Sequence, residues 1–195
     1  MSAKSEEAAH SAMHMDPSSK RIALLIAVLA AFLAFSETLG KSAQTDSISY
    51  NVEASNLWAF FQAKTIRMTV VGTAAEEMEV AARSVTDAGE QAIIKKRIDG
   101  WRANATRYND EPETNEGRKQ LSARALAAEK KRDTAMARYH HYEVASALFQ
   151  IGIVLASATV ITGAIALAWG AIGLGGLALF FTAIGLFAPK AIHLF

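Results

Sequence analysis

Hydrophobic positions fall along this chain in two rhythms. At the ends they run nearly unbroken: residues 144–169 and 171–189 contain no Lys, Arg, Asp or Glu, and 22–39 contain only Glu37. In the middle they recur every three or four residues among charged ones. About 20 consecutive apolar residues carry a helix across the hydrocarbon core of a bilayer. The end blocks therefore predict three transmembrane helices, over 20–40, 144–169 and 171–189, with Gly170 as the joint between the last two. The predicted fold class is all-α. It is an integral membrane protein with a long helical hairpin or coiled-coil stalk, 41–143, inserted between the first and second membrane helices.

Inside the stalk, Leu57, Phe61, Met68, Val71, Ala75, Met78, Ala82 and Val85 follow alternating three- and four-residue steps, with Lys64 filling the one gap. Such spacing keeps one side of a helix against a partner. Ile94, Ile98, Trp101, Ala105 and Tyr108 repeat it more briefly. Leu121, Ala125, Ala128, Arg132, Ala135, Tyr139 and Tyr142 carry it into the second membrane block. Two turn signals divide the stalk: Thr86-Asp87-Ala88-Gly89, and the acidic run around Pro112, whose ring disfavours helix at Glu111. The expected helices are about 45–86, 90–108 and 116–143, with Thr114 and Asn115 as candidate caps for the third. The outgoing helix matches the two return pieces in length. Either a hairpin broken once on its return limb or a short three-helix bundle satisfies the seams. An aspartate at Val71 or Met78 would bury a charge in the seam and is expected to disrupt self-association.

Residues 1–19 are polar and rich in Ser, Ala and His, and read as a disordered tail; 190–195 form a C-terminal tail. Ser18 or Ser19 is placed to cap a helix starting at Lys20-Arg21. The first apolar block exceeds a usual signal-peptide core, its leader is not simply basic, and Ser36-Glu37 is a poor exit sequence. A retained membrane helix is expected. Trp58, Phe60 and Phe61, with Tyr139, Tyr142, His140 and His141, are expected to serve as interface anchors and seam packing. Basic residues near membrane ends orient a protein, since they favour the cytoplasmic side. Lys130, Lys131, Arg132 and Arg138 precede the second block and Lys190 follows the third, whereas the joint between them has none. This pattern favours a cytoplasmic stalk.

Composition narrows the chemistry. Lys plus Arg number 20 against 19 Asp plus Glu, so no polyanionic partner such as nucleic acid is expected. The absence of cysteine excludes disulfides, thiol catalysis and cysteine-ligated metals. No phosphate-binding glycine loop, nucleophile elbow or His-Glu-x-x-His motif occurs. No catalytic, cofactor-binding or metal site is therefore assigned, no cofactor is expected, and an enzyme is not expected. The candidate polar residues are few. Glu37 lies near the end of the first membrane helix, where a charge is costly and often functional; Gln150, Ser157 and Thr159 are candidates to face it, and Lys41 is placed for an i,i+4 pair. His140 and Glu143 share a helix face while His141 points about 100° away, so this run offers at most two metal ligands. A complete site would need His10, His14, His193 or a second copy. Asp110, Glu111, Glu113 and Glu116 crowd the second turn without calcium-loop spacing. Small residues recur in the membrane blocks, including Gly152, Ala156, Gly163, Gly170, Gly176 and Gly185, and permit close helix contact.

Two segments carry a resemblance: NLWAFFQAKTIR at 56–67, and YHHYEVA at 139–145, which leads into the second apolar block. With the order of elements, they resemble a family of small bacterial membrane proteins, domain of unknown function 4337. The resemblance implies a multi-helix membrane protein with a charged helical insert, and supplies no functional residues. The function expected is that of a membrane-embedded structural or assembly protein. It would be homo-oligomeric or an accessory subunit of a larger membrane complex, with the stalk making protein–protein contacts. An oligomeric ion channel or transport component is the alternative. The lipid bilayer is the expected environment.

Overall fold

The computed structural model describes residues 17–192; residues 1–16 of the tail expected at 1–19 and the histidines His10, His14 and His193 lie outside them. Among the described residues four helices follow one another: α1 (Pro17–Ala82), α2 (Ala88–Asn109), α3 (Arg118–Thr162) and α4 (Ile165–Phe187). There is no strand among the described residues. The all-α class holds, and α1, α3 and α4 are each long and apolar enough to cross a membrane. Contacts divide the described residues into two compact units, one of residues 17–46 with 134–192 and one of 47–133.

The first unit brings together the start of α1, the end of α3 and all of α4. Its core is Leu29, Ala145, Phe149, Ala156, Ala171 and Ala178, with Ile22, Leu25, Leu33, Leu148 and Phe181 around it. Four of those six are alanines because the helices approach closely. A side chain on Gly175 would collide with Leu29, and one on Gly185 would lie 2.8 Å from the Tyr142 ring and 3.1 Å from His141 Cβ. The outward surface is apolar, including Leu24, Phe35, Val154, Ile161, Trp169 and Phe187. A helix that is hydrophobic on all sides suits a lipid surrounding.

The helix break in this unit lies seven residues before the expected one. Gly163 has φ +71, and Ala164 precedes α4 as its N-cap. Only glycine adopts that left-handed backbone without steric cost. Thr162 Oγ1 accepts from the Ala164 amide at 3.3 Å, which helps turn the chain. Gly170, Gly173, Gly175 and Gly176 are instead all inside α4. At the other end, α1 already begins at Pro17, so Ser18 and Ser19 lie within the helix and do not precede it. Proline suits a first helical position, where its fixed φ is helical and no amide is needed.

The second unit is built from the rest of α1, all of α2 and the start of α3. Along α1 the residues nearest the interior are Ser47, Tyr50, Ala54, Leu57, Phe61, Lys64, Met68, Val71, Ala75, Met78 and Ala82, each buried or half-buried. Steps of three and four residues alternate throughout this series. A compact cluster of Ala54, Leu57, Leu121, Ala125 and Ala128 is flanked by Trp58, Phe60 and Phe61. Those three aromatics therefore belong to the packing of this unit. Trp58 stacks edge-on to Phe61 at 5.4 Å and donates from Nε1 to Glu129 at 2.8 Å.

Contacts with α2 and α3 fall on successive stretches of α1. Tyr50, Asn51, Ala54, Leu57, Trp58 and Phe61 meet α3, while Lys64 and Glu79 meet Tyr108 and Arg102 of α2. Two turns make this possible. After Ala82 the amides of Arg83, Ser84 and Val85 bond three residues back, which tightens and ends the helix. Asp87 then caps α2 by accepting from the Glu90 amide at 2.8 Å. The first stalk helix thus stops short of the expected Thr86, and Ala88 and Gly89 are already helical. At the second turn neither Thr114 nor Asn115 caps α3, which starts at Arg118 with Leu121 N bonded to Gly117 O at 2.8 Å. Asn115 instead takes a left-handed φ of 59. Gly117 is required there: a Cβ would collide with the Glu111 amide nitrogen and stand 3.0 Å from the Asp110 carbonyl carbon.

Candidate functional site

The apolar helices of the first unit contain few polar side chains, and most satisfy their own backbone. Ser157 Oγ donates to Ile153 O at 2.8 Å, Thr159 to Leu155 O at 3.0 Å, and Thr182 to Ala178 O at 2.9 Å. A hydroxyl bonded one turn back needs no water. Ser157 and Thr159 are therefore not partners of Glu37. Ser36 is the exception: fully buried, it donates to the Tyr142 carbonyl on α3 at 3.2 Å, a link between helices.

Glu37 and Gln150 do meet. Gln150 Nε2 reaches Glu37 Oε1 at 3.5 Å, a long and exposed contact. The i,i+4 pair of Glu37 with Lys41 is not made among the described residues; Lys41 lines the same groove. That groove, of about 430 Å³, is also bordered by Gln44, Tyr139, Glu143 and Ser146. Tyr139 donates to Glu143 at 3.4 Å, and His140 Nδ1 lies 3.6 Å from the other Glu143 oxygen. The groove is thus a shallow polar band at the polar end of an otherwise apolar unit, with two carboxylates and amide and phenol groups.

His141 belongs elsewhere. Its ring is buried, stacks on Phe181 at 6.2 Å, and its Nε2 pairs with the Pro189 carbonyl at 3.1 Å. This contact ties the chain beyond α4 back to α3. His140, Glu143 and His141 consequently do not converge. No group of three metal-ligating side chains occurs among the described residues.

The most developed polar cluster is in the second unit, and sequence reasoning noticed only half of it. Lys64, the residue in the gap of the seam, is buried. Its ammonium sits 2.9 Å from Glu111 Oε2 and 3.9 Å from Glu116. It also lies 5.5 Å from the ring centres of both Phe60 and Tyr108. A buried ammonium requires such compensation. Arg107 adds a second base near Glu111 at 3.7 Å. The hydrogen bond from Lys64 is the main reason the Glu111 carboxyl titrates below the usual glutamate range. Asp110 is lowered likewise, first by Lys119 at 2.8 Å and then by Gln120 at 2.7 Å. Gln120 also accepts from the Glu111 amide at 3.2 Å. Asp110, Glu111 and Glu116 are thus engaged by bases of the same unit: Glu111 and Glu116 fasten the turn to α1, and Asp110 fastens it to the start of α3. The signal for this was a lysine where the seam wanted an apolar residue; its partner, 47 positions away, was not readable.

The seam residues are all on the inward side. Ala75 is 1% exposed and Leu57 7%, while Phe61, Met68, Val71, Met78, Ala82 and Val85 are half-buried. Within the second unit this side of α1 is covered by the chain's own helices.

A family model described as domain of unknown function (DUF4337) matches residues 18–188. No curated protein and no solved structure matches the chain.

Proposed function

This chain belongs to the family described as domain of unknown function (DUF4337), and from its distribution of apolar and charged helix we propose that it is a membrane-embedded assembly protein. The bilayer holds the three apolar segments, and the second unit makes protein–protein contacts in the cytoplasm of a bacterial cell, at its inner membrane. One observation carries this reading. Both α1 and α3 combine a membrane-length apolar segment with a charged segment and have no break between them. A helix built that way serves to fix a water-exposed surface to a membrane. Orientation follows from the basic residues Lys130, Lys131, Arg132 and Arg138 ahead of the apolar part of α3, against none at the Gly163 turn.

Native mass spectrometry of the full-length protein released from nanodiscs tests the proposal. Oligomers or a stable complex are expected; a monomer at all concentrations overturns it. A second reading, an oligomeric channel or transporter, is favoured only by the groove that joins Glu37 and Gln150. Liposome flux measurements decide between them: a cation flux abolished by Glu37→Gln supports transport, and none supports assembly.

A further inference from the structure

The seam side of α1 in the second unit is occupied, yet the opposite side of the same helix is also apolar. Ile48, Val52, Ile66, Val70 and Val80 are each more than half exposed. At 100° per residue they fall within about 40° of one line along the helix, directly opposite Leu57 and Ala75. Small or uncharged residues fill the line between them, among them Ser55 and Ala59. A water-exposed helix face normally carries charge. Here Glu77, near the far end, is the only charged residue on it, and the other charges of this stretch, Glu53, Lys64, Arg67, Glu76 and Glu79, lie off it. Most exposed bases of the unit are on the other helices, for example Lys95 and Lys96 on α2 and Lys130 and Lys131 on α3. One face of one helix thus carries a single charge.

We infer that this outward face of α1, from Ile48 to Val80, is the site where a second copy of the chain docks in parallel. Three considerations select a second copy. A symmetric contact requires a self-complementary patch, and a stripe of β-branched and small residues at three- and four-residue steps meets its own image with Glu77, near its end, as the one charge on it. A partner recognised through charge would find its complement on α2 and α3, not here. The area also suffices. At ~1.5 Å per residue the stripe is about 50 Å long, and a helix face ~10 Å wide gives about 500 Å² per copy. The total of about 1,000 Å² reaches the lower bound for a specific interface. The inference rests on the membrane reading above, because apolar segments held in one bilayer bring two copies together in parallel and raise their effective concentration.

The chain has no cysteine, so single cysteines report without background. Ser55→Cys, Ala59→Cys and Ile66→Cys on the stripe, and Glu53→Cys and Arg67→Cys off it, are treated in native membranes with a short bis-maleimide. Homodimer bands at least tenfold stronger on the stripe than off it are expected. Adding Ile66→Asp and Val70→Asp should abolish the bands at Ser55→Cys and leave helicity unchanged, since both side chains are exposed in the single copy. Equal yields on all faces overturn the inference, as does labelling of the stripe by a bilayer-restricted photoprobe with no dimer band, or a cross-link to a different protein. Should native mass spectrometry still show oligomers in that case, the assembly reading survives and only this face is wrong; a monomer removes both.

Discussion

One helix is packed in two ways. In the first unit α1 presents Ser36, Gly40 and Ala43 to its neighbours, and Gly40 sits 3.5 Å from Tyr142 Cβ when given a side chain. In the second unit the same three- and four-residue spacing presents Leu57, Phe61, Lys64 and Met68. Small residues bring backbones close, which is how helices associate where the surroundings are as apolar as they are. Larger side chains gain from leaving water, at roughly 25 cal/mol per Å² of apolar surface. The difference teaches that the spacing sets which side of α1 is inward, while the size of the residues at each point sets how closely its neighbours approach. It also explains where charge is tolerated. The first unit spends its hydroxyls on its own backbone, whereas the second buries an ammonium and surrounds it with partners.

The sharpest way to break this contrast is to remove bulk from the second unit. Leu121 is fully buried between Leu57 and Ala125. Leu121→Ala should cost about 3 kcal/mol through lost contact and the cavity left behind. Urea unfolding in detergent measures it. A loss below about 1 kcal/mol would mean that bulk is not what holds the second unit. The charge substitutions in the seam now carry a different expectation. Val71→Asp and Met78→Asp act on a side covered by the chain's own helices, so they should unfold the second unit before they affect any contact between copies.

A conformational change in the first unit should have a smaller effect. Gly163 has open space around the position of a Cβ, so Gly163→Ala meets no collision. What it meets is its φ of +71, a backbone that costs an L-residue about 1–2 kcal/mol. The same assay reads it, and an unchanged midpoint would show that the turn between α3 and α4 relaxes to another backbone shape.

These particulars also show what was readable in the chain. The inward side of α1 was legible because burial imposes a period, and residues from Leu57 to Ala82 keep it over many turns. The three apolar segments were legible for the same reason, by length. The turn at Gly163 was hidden because apolarity is identical on both sides of it, and four glycines from Gly170 to Gly176 offered a louder decoy. The usable clue was the β-branched run Val160, Ile161 and Thr162 ending on a glycine. Trp58 and its neighbours were ambiguous, since an aromatic cluster near an apolar segment suits an interface as well as a core. Glu37 was legible as a rare acid on an apolar helix, but Gln150 was only one of the candidates to face it, beside Ser157, Thr159 and Lys41. The partner of Lys64 was not legible, because the Gly117 turn, a tertiary feature, brings Glu111 to it.

The last and smallest effect tests that lysine through acid. Glu111 is held below its ordinary value of 4.5 chiefly by the Lys64 hydrogen bond. A carboxyl lowered in the folded state stabilises the fold fully above its unfolded value, and that stabilisation is lost as pH falls through the lower folded value. The urea midpoint of the second unit should therefore be level above pH 4.5 and decline below it. Lys64→Met removes the main cause while keeping the stem that packs beside Phe60 and Tyr108. Its decline should be shallower, with a remainder from Asp110, which Lys119 and Gln120 still lower. An identical acid profile in Lys64→Met and the parent chain would show that the buried ammonium is not what fastens the turn, and would leave the contact of Gln120 with the Glu111 amide as the element that does.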